Sequence, residues 1–304
     1  ALGVLESGAL GEHIDLVATQ RMPHYPAGGS PAPPVREETL SAPEDLYGAS
    51  RCQLDQIGAV ALLEEGLNAS GAAGGTGAVL VAILDTGFRL DHEALRHVDV
   101  EAQWDFVQGD SVTSNEPGDA LGQDKHGTTV LGVIGGRSDG YLYGPAWGAR
   151  YLLAKTEILD DEIVLEEDHW VAGVEWADSA GADIVTSSVG YRDWYTSSDF
   201  DGETALCTKA ADIAVSHGII VVNSAGNYGT DGLVAPADGD SVLAVGSVDC
   251  AGVISSFSSR GPTADGRIKP DFVAMGCAVQ SVGYPDTAGY ERYYGTSFAA
   301  PLVA

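Results

Sequence analysis

Basic side chains are scarce in this chain. Its 304 residues hold 15 lysines and arginines against 44 aspartates and glutamates, a formal net charge of −29. Only four lysines occur, at 125, 155, 209 and 269. Such a charge repels nucleic acid and anionic lipid, so neither is expected as a partner. Missing too is any apolar run near the ~18 residues that a membrane-spanning helix needs. The four cysteines, Cys52, Cys207, Cys250 and Cys277, include no CxxC pair, which argues against a zinc site. They permit three pairings among which spacing does not choose. Buried free thiols fit as well, since Cys207 falls in an expected helix and Cys277 near an expected strand end. There is no initiating Met and no basic-then-apolar secretion signal, so the native N-terminus is expected to lie upstream.

What the chain does contain is core-forming material. Hydrophobic residues make up 44% and glycines number 40, which suits an α/β protein with many tight turns. Six of the 13 prolines fall between Pro23 and Pro43, an extended linker rather than a core. Residues 11–20 ahead of it read as a short strand. From Tyr47 onward, apolar runs at 79–84, 151–154, 183–186, 219–222 and 242–245 read as strands buried on both faces of a parallel sheet. Helices are expected between them. Residues 167–180 put Trp170, Val174 and Ala177 on one face with Gly181 as a stop. Residues 203–217 do the same with Leu206, Ala210 and Ile213 before Gly218. The alternation predicts a doubly wound, mostly parallel α/β sheet with helices on both faces. The acidity itself fits high-salt adaptation, a solvated acidic surface or calcium-buffered loops.

Three segments carry an Asp…His…Ser set: AILDTGF around Asp85, HGTTVLGVIGG from His126 and GTSFAAP around Ser297. A serine hydroxyl is a weak nucleophile until a histidine takes its proton and a carboxylate orients that histidine. Asp85 ends an apolar strand, where a carboxylate needs a partner such as an imidazole N–H. His126 precedes a helical run in which Val130, Val133 and Ile134 share a face. Gly127, Gly132, Gly135 and Gly136 let that helix pack closely. Pro301 is tolerated only in a first helical turn, so a helix should begin near Ser297 and place its hydroxyl at the positive end.

With these motifs the chain resembles the subtilisin-like serine peptidases, from about Tyr47 to its end. Two further stretches match, SAGN at 224–227 and SSFSSRGP at 255–262. The order Asp, His, Ser is the one known for subtilisin. The resemblance implies a serine endopeptidase acting through an acyl-enzyme on Ser297. In it His126 is the base, Asp85 orients the base, and Asn227 joins the Ser297 N–H in an oxyanion hole. A turn asparagine in a left-handed conformation is the alternative use of Asn227. Ser187, Ser188, Val189 and Gly190 would pair with an extended substrate backbone, with Ala225 and Gly226 beside the pocket for the residue before the cleaved bond. These stretches carry no charge, so tolerance of large apolar side chains is expected. No organic cofactor is required.

Structural calcium is an option whose ligands stay unassigned. The acidic run 157–168 reads as a solvated loop in preference to a calcium site or a cleft wall, and Asp231, Asp238 and Asp240 form a second candidate cation loop. Residues 1–45 read as a prosegment tail or leader plus linker. Residues 46–304 read as the peptidase domain, cut short at its C-terminus. Partners are then polypeptide substrates and the chain's own prosegment, and the location secreted or cell-surface. The rival reading is a non-catalytic peptide-binding domain on the same fold.

Overall fold

The computed structural model describes residues 45–71, 77–160 and 162–304. The readings of residues 11–20, of the Pro-rich linker and of a prosegment tail lie outside the described residues. In chain order the elements are α1 (Arg51–Gln56), α2 (Ala59–Glu64), β1 (Leu80–Asp85), β2 (Asp99–Asp105), α3 (Lys125–Gly135), β3 (Arg137–Ser138), β4 (Leu142–Tyr143) and β5 (Arg150–Lys155). There follow α4 (Leu165–Ala180), β6 (Ile184–Ser187), α5 (Leu206–Ser216), β7 (Ile220–Ser224), β8 (Leu243–Val248), β9 (Phe272–Met275), β10 (Cys277–Val282), β11 (Tyr290–Tyr294) and α6 (Ala300–Val303).

Seven strands form one sheet in the order β2-β5-β1-β6-β7-β8-β9, parallel throughout. Every strand expected from the apolar runs is present. All six residues of β1 are buried, as a strand covered on both faces requires. One face of the sheet packs a core that includes Val130, Val133 and Ile134 of α3. The other packs Trp170, Val174 and Ala177 of α4. The fold is the expected doubly wound one.

The helix caps follow the sequence. Helix α4 begins with Glu166, Glu167 and Asp168 in its first turn, where acidic groups oppose the helix dipole, and stops at left-handed Gly181 (φ 80°). Helix α5 departs from expectation. Its buried residues are Cys207, Thr208, Ala210, Ala211 and Ala214, whereas Ile213 is 43% exposed. The small alanines let α5 approach α4, and this shifts the inward stripe one position away from the bulkier Ile213.

Cys52 and Cys250 form a disulfide with Cα atoms 6.1 Å apart, while Cys207 and Cys277 are free. A disulfide thus joins one pair, and the expectation of a buried free thiol holds for Cys207, whereas Cys277 is partly exposed. Pro236 follows a cis peptide bond.

Beside Asp85 in the sheet register stands Lys155 at the end of β5. Its side chain is fully buried and its ammonium lies 2.7 Å from Asp105 and 2.9 Å from Asp119. Burial draws the Lys155 pKa down, but the hydrogen bonds and charges of Asp105 and Asp119 outweigh it and hold the ammonium charged. Lys155→Met should therefore cost about 3–5 kcal/mol in a denaturant melt, because two acidic groups lose their buried counter-charge.

Candidate active site

In a doubly wound sheet, sites form beyond the carboxyl ends of strands where the winding reverses. Here the chain leaves β1 first towards β2 and β5, then crosses to β6 on its other side. Asp85 closes β1, Ser187 closes β6 and Ser224 closes β7. These three strand ends share one edge of the sheet.

Asp85 is fully buried. Its Oδ1 accepts from the Thr86 backbone N–H at 2.7 Å and lies 2.7 Å from His126 Nδ1. It thus both caps the following turn and fixes the imidazole. What brings α3 so close is Gly127: a Cβ there would collide with the Gly87 carbonyl and stand 3.0 Å from the Asp85 Cβ. Burial pulls the His126 pKa down. The Asp85 charge and hydrogen bond outweigh that pull and leave it above the ordinary imidazole value. On its other side the ring meets Phe298, with centroids 5.9 Å apart.

Ser297 lies in a 3-10 turn, Thr296–Phe298, immediately ahead of α6 with its Pro301 in the first turn. The N–H groups of a first helical turn have no intrahelical acceptor. The Ser297 hydroxyl donates to the Ser188 carbonyl at 3.1 Å, and the Ser188 hydroxyl donates back to the Ser297 carbonyl at 2.7 Å. Among the described residues no hydrogen bond joins Ser297 to His126. Both nevertheless line one cavity of about 320 Å³. A χ1 rotation to another staggered rotamer redirects a serine hydroxyl, and such catalytic bonds often tighten only when substrate is bound.

Asn227 lines the same cavity. Its Oδ1 accepts from the Thr296 N–H at 2.9 Å and the Thr296 hydroxyl at 3.1 Å, which leaves Nδ2 as the outward donor. A side-chain atom placed on Gly295 would stand 3.6 Å from Asn227 Nδ2 and 3.7 Å from the Ser297 N. The two donors therefore flank one space. Asn227 is not among the residues with positive φ. Gly226 takes that conformation instead, at φ 103°, so the turn's left-handed step precedes the asparagine.

Of the expected substrate-binding residues, Ser188, Val189, Gly190 and Gly226 line the cavity. Ser187 and Ala225 do not. Both are fully buried, with the Ser187 hydroxyl accepting from Trp170 Nε1 at 3.0 Å and the Ala225 N–H bonded to Val245 in the sheet. They sit behind the wall and hold it in place.

The acidic run 157–168 is only partly a solvated loop: Asp160 and Glu162 are exposed, but other carboxylates in it are not. Glu157, Glu166 and Glu167 are all buried, and Glu157, Glu162 and Glu166 line the cavity with Ile158, Leu159 and Tyr228. Sequence reasoning discounted them because a run rich in carboxylates reads as surface. The signal that marks them is position, directly after a buried strand and so at the carboxyl edge. The cavity thus carries acidic residues beside the uncharged stretches that the sequence pointed to.

Two of the three carboxylates of the suggested cation loop already have protein partners. Asp238 is buried and accepts from Thr208 and Gly202, and Asp240 faces Arg267 at 3.8 Å. Elsewhere the carboxylate oxygens of Asp105, Asp110 and Glu116 lie within 4.8 Å of one another, but the Lys155 ammonium already supplies the positive charge there.

Residues 76–304 match the subtilase family. The chain belongs to that family. By class this subtilase is a serine endopeptidase. It is 35% identical over 232 residues to Subtilisin DY of Bacillus licheniformis, covering 74% of each chain. It is 33% identical over 242 residues to Subtilisin-like protease SBT6.1 of Arabidopsis thaliana. That match covers 76% of this chain but only 21% of the plant protein. Among solved structures, the prenylagaramide maturation protease PagA superposes with a TM-score of 0.61 at 26% identity, covering 81% of this chain and 76% of the other. The family match starts at residue 76, so α1 and α2 precede it, whereas the alignment with Subtilisin of Bacillus pumilus covers 83% of this chain and so reaches upstream of residue 76, towards the expected start near Tyr47.

Proposed function

We propose that this subtilase cleaves peptide bonds by nucleophilic catalysis at Ser297. His126 takes the Ser297 proton and delivers it to the leaving amine. Asp85 holds the imidazole with its proton on Nδ1, and Asn227 Nδ2 with the Ser297 N–H receives the oxyanion. The observation that carries this reading is the 2.7 Å bond between Asp85 and His126, on a cavity wall shared with Ser297 and Asn227. The chemistry needs no organic cofactor. Ser188, Val189, Gly190 and Gly226 are the proposed substrate wall, and polypeptides are the substrates. One disulfide fits an oxidising setting, and we assign the protein outside the cytoplasm or at the cell surface. No helix among the described residues is long and apolar enough to cross a membrane.

A phosphonate that reacts only with activated serines tests the reading. Stoichiometric labelling mapped to Ser297 is expected. The rival, a peptide-binding domain without catalysis, draws on the Ser297 bond to Ser188 in place of His126, and it predicts no labelling.

The pH dependence follows from His126. A base must be neutral to accept the serine proton, and the folded pKa is raised. Activity is therefore complete above that pKa and falls as pH drops through it, with a midpoint above the ordinary imidazole value of about 6.5. A kcat/KM profile that stays flat below about pH 5 would remove His126 as the base.

A further inference from the structure

Among the described residues, the cavity that holds Ser297 and His126 is lined by three glutamates, Glu157, Glu162 and Glu166, and by no lysine or arginine. Glu157 and Glu166 are both more than nine-tenths buried. Glu166 is committed to the backbone, its two oxygens accepting the N–H groups of Ile158 at 2.7 Å and Ile163 at 2.9 Å. Glu157 is committed on one side only. Its Oε1 accepts the hydroxyls of Thr156 and Tyr191, each at 2.8 Å, and no hydrogen bond to Oε2 occurs among the described residues.

A buried carboxylate without a counter-charge is costly. Burial, with the nearby Glu166 charge adding to it, pushes the Glu157 pKa well above the ordinary carboxylate range. Arg192 does not relieve the wall. Its guanidinium lies over the Tyr228 ring at 4.7 Å and donates to the carbonyls of Leu233 and Asp231. Among the described residues no cationic side chain pairs with Glu157, and a class of substrates carries that charge.

We infer that this wall recognises a cationic substrate side chain: Glu157 Oε2, with Glu166 behind it and Glu162 at the mouth, receives the guanidinium or ammonium of an arginine or lysine in a peptide bound across Ser297. Ile158 and Leu159 on the same wall offer apolar surface to the aliphatic stem of such a residue, which buries its methylenes readily. Charge-assisted hydrogen bonds to a carboxylate are the strong ones, and a bidentate arginine uses them best. The net charge of −29 also gathers cationic peptides, though salt screens that long-range pull. The assignment deepens the peptidase reading and rests on it.

The test uses the full chain and tetrapeptidyl phosphonates that carry arginine or its neutral isostere citrulline at each position in turn. At one position the arginine probe should label Ser297 roughly tenfold faster or more than its citrulline partner. That ratio should persist in high salt, which removes long-range steering. It should fall towards one in Glu157→Gln, whose amide oxygen still accepts from Thr156 and Tyr191. Equal rates at every position would overturn the cation site while labelling itself upholds Ser297 as nucleophile. A ratio unchanged by Glu157→Gln would overturn the role of Glu157. No labelling by any probe would remove the peptidase reading and this assignment together.

Discussion

Ser297→Ala is expected to lower kcat for a peptide substrate by about 10⁶-fold, the scale set by subtilisin itself. The loss should not come from unfolding. Ser297 is 7% exposed, and among the described residues its hydroxyl makes one hydrogen bond, to the Ser188 carbonyl. Removing such a bond costs about 0.5–1.5 kcal/mol, which thermal melting will register as a small shift. The Ser297 N–H is a backbone group and survives the substitution, as do Asn227 and the cavity wall. Substrate binding should therefore persist, with about 10³–10⁴-fold acceleration over the uncatalysed reaction remaining from the oxyanion site. Turnover within a hundredfold of the parent protein would show that the hydroxyl is not the nucleophile.

Asp85→Asn should cost about 10⁴-fold in kcat while leaving the shape of the site intact. The reason is the direction of one proton. Asp85 Oδ1 lies 2.7 Å from His126 Nδ1, so a carboxylate there keeps that nitrogen protonated and leaves Nε2 free to act as base. An asparagine amide turned towards the ring donates instead, which moves the ring proton to Nε2 and abolishes the base. The Thr86 N–H, which donates to the same oxygen, opposes that orientation because it would set two donors face to face, so the switch proceeds at the cost of this bond. Proton NMR should show a low-field Nδ1–H resonance in the parent protein and none in Asp85→Asn. A variant that keeps its rate within tenfold would mean that the carboxylate only caps the turn.

Much of this was legible in the linear chain. The continuous apolar run 79–84 read as a strand covered on both faces, and the structure has it so, with Asp85 at its end. Gly181 stopped α4 because only a residue without a Cβ takes φ near 80° at no cost. Other assignments failed for reasons that spacing does not encode. Ile213 belongs to the apolar stripe of its helix by period, yet α5 turns its alanines inward. Asn227 carries the composition of a left-handed turn, yet Gly226 makes the turn and leaves the asparagine tied to Thr296.

The amino-acid order determined the sheet and the succession of helices, because each is written in a local pattern of apolar period, glycine and proline, whereas the grouping of Asp85, His126 and Ser297 came from the resemblance of their motifs to those of the subtilisin-like peptidases. Tertiary structure alone decided which cysteines pair, which serines face the cavity, and that Glu157 and Glu166 line one cavity with Ser297. A carboxylate's worth depends on what surrounds it in space. The same residue is a solvated charge on a loop and a demanding, unpaired one when the end of β5 turns it under Tyr191.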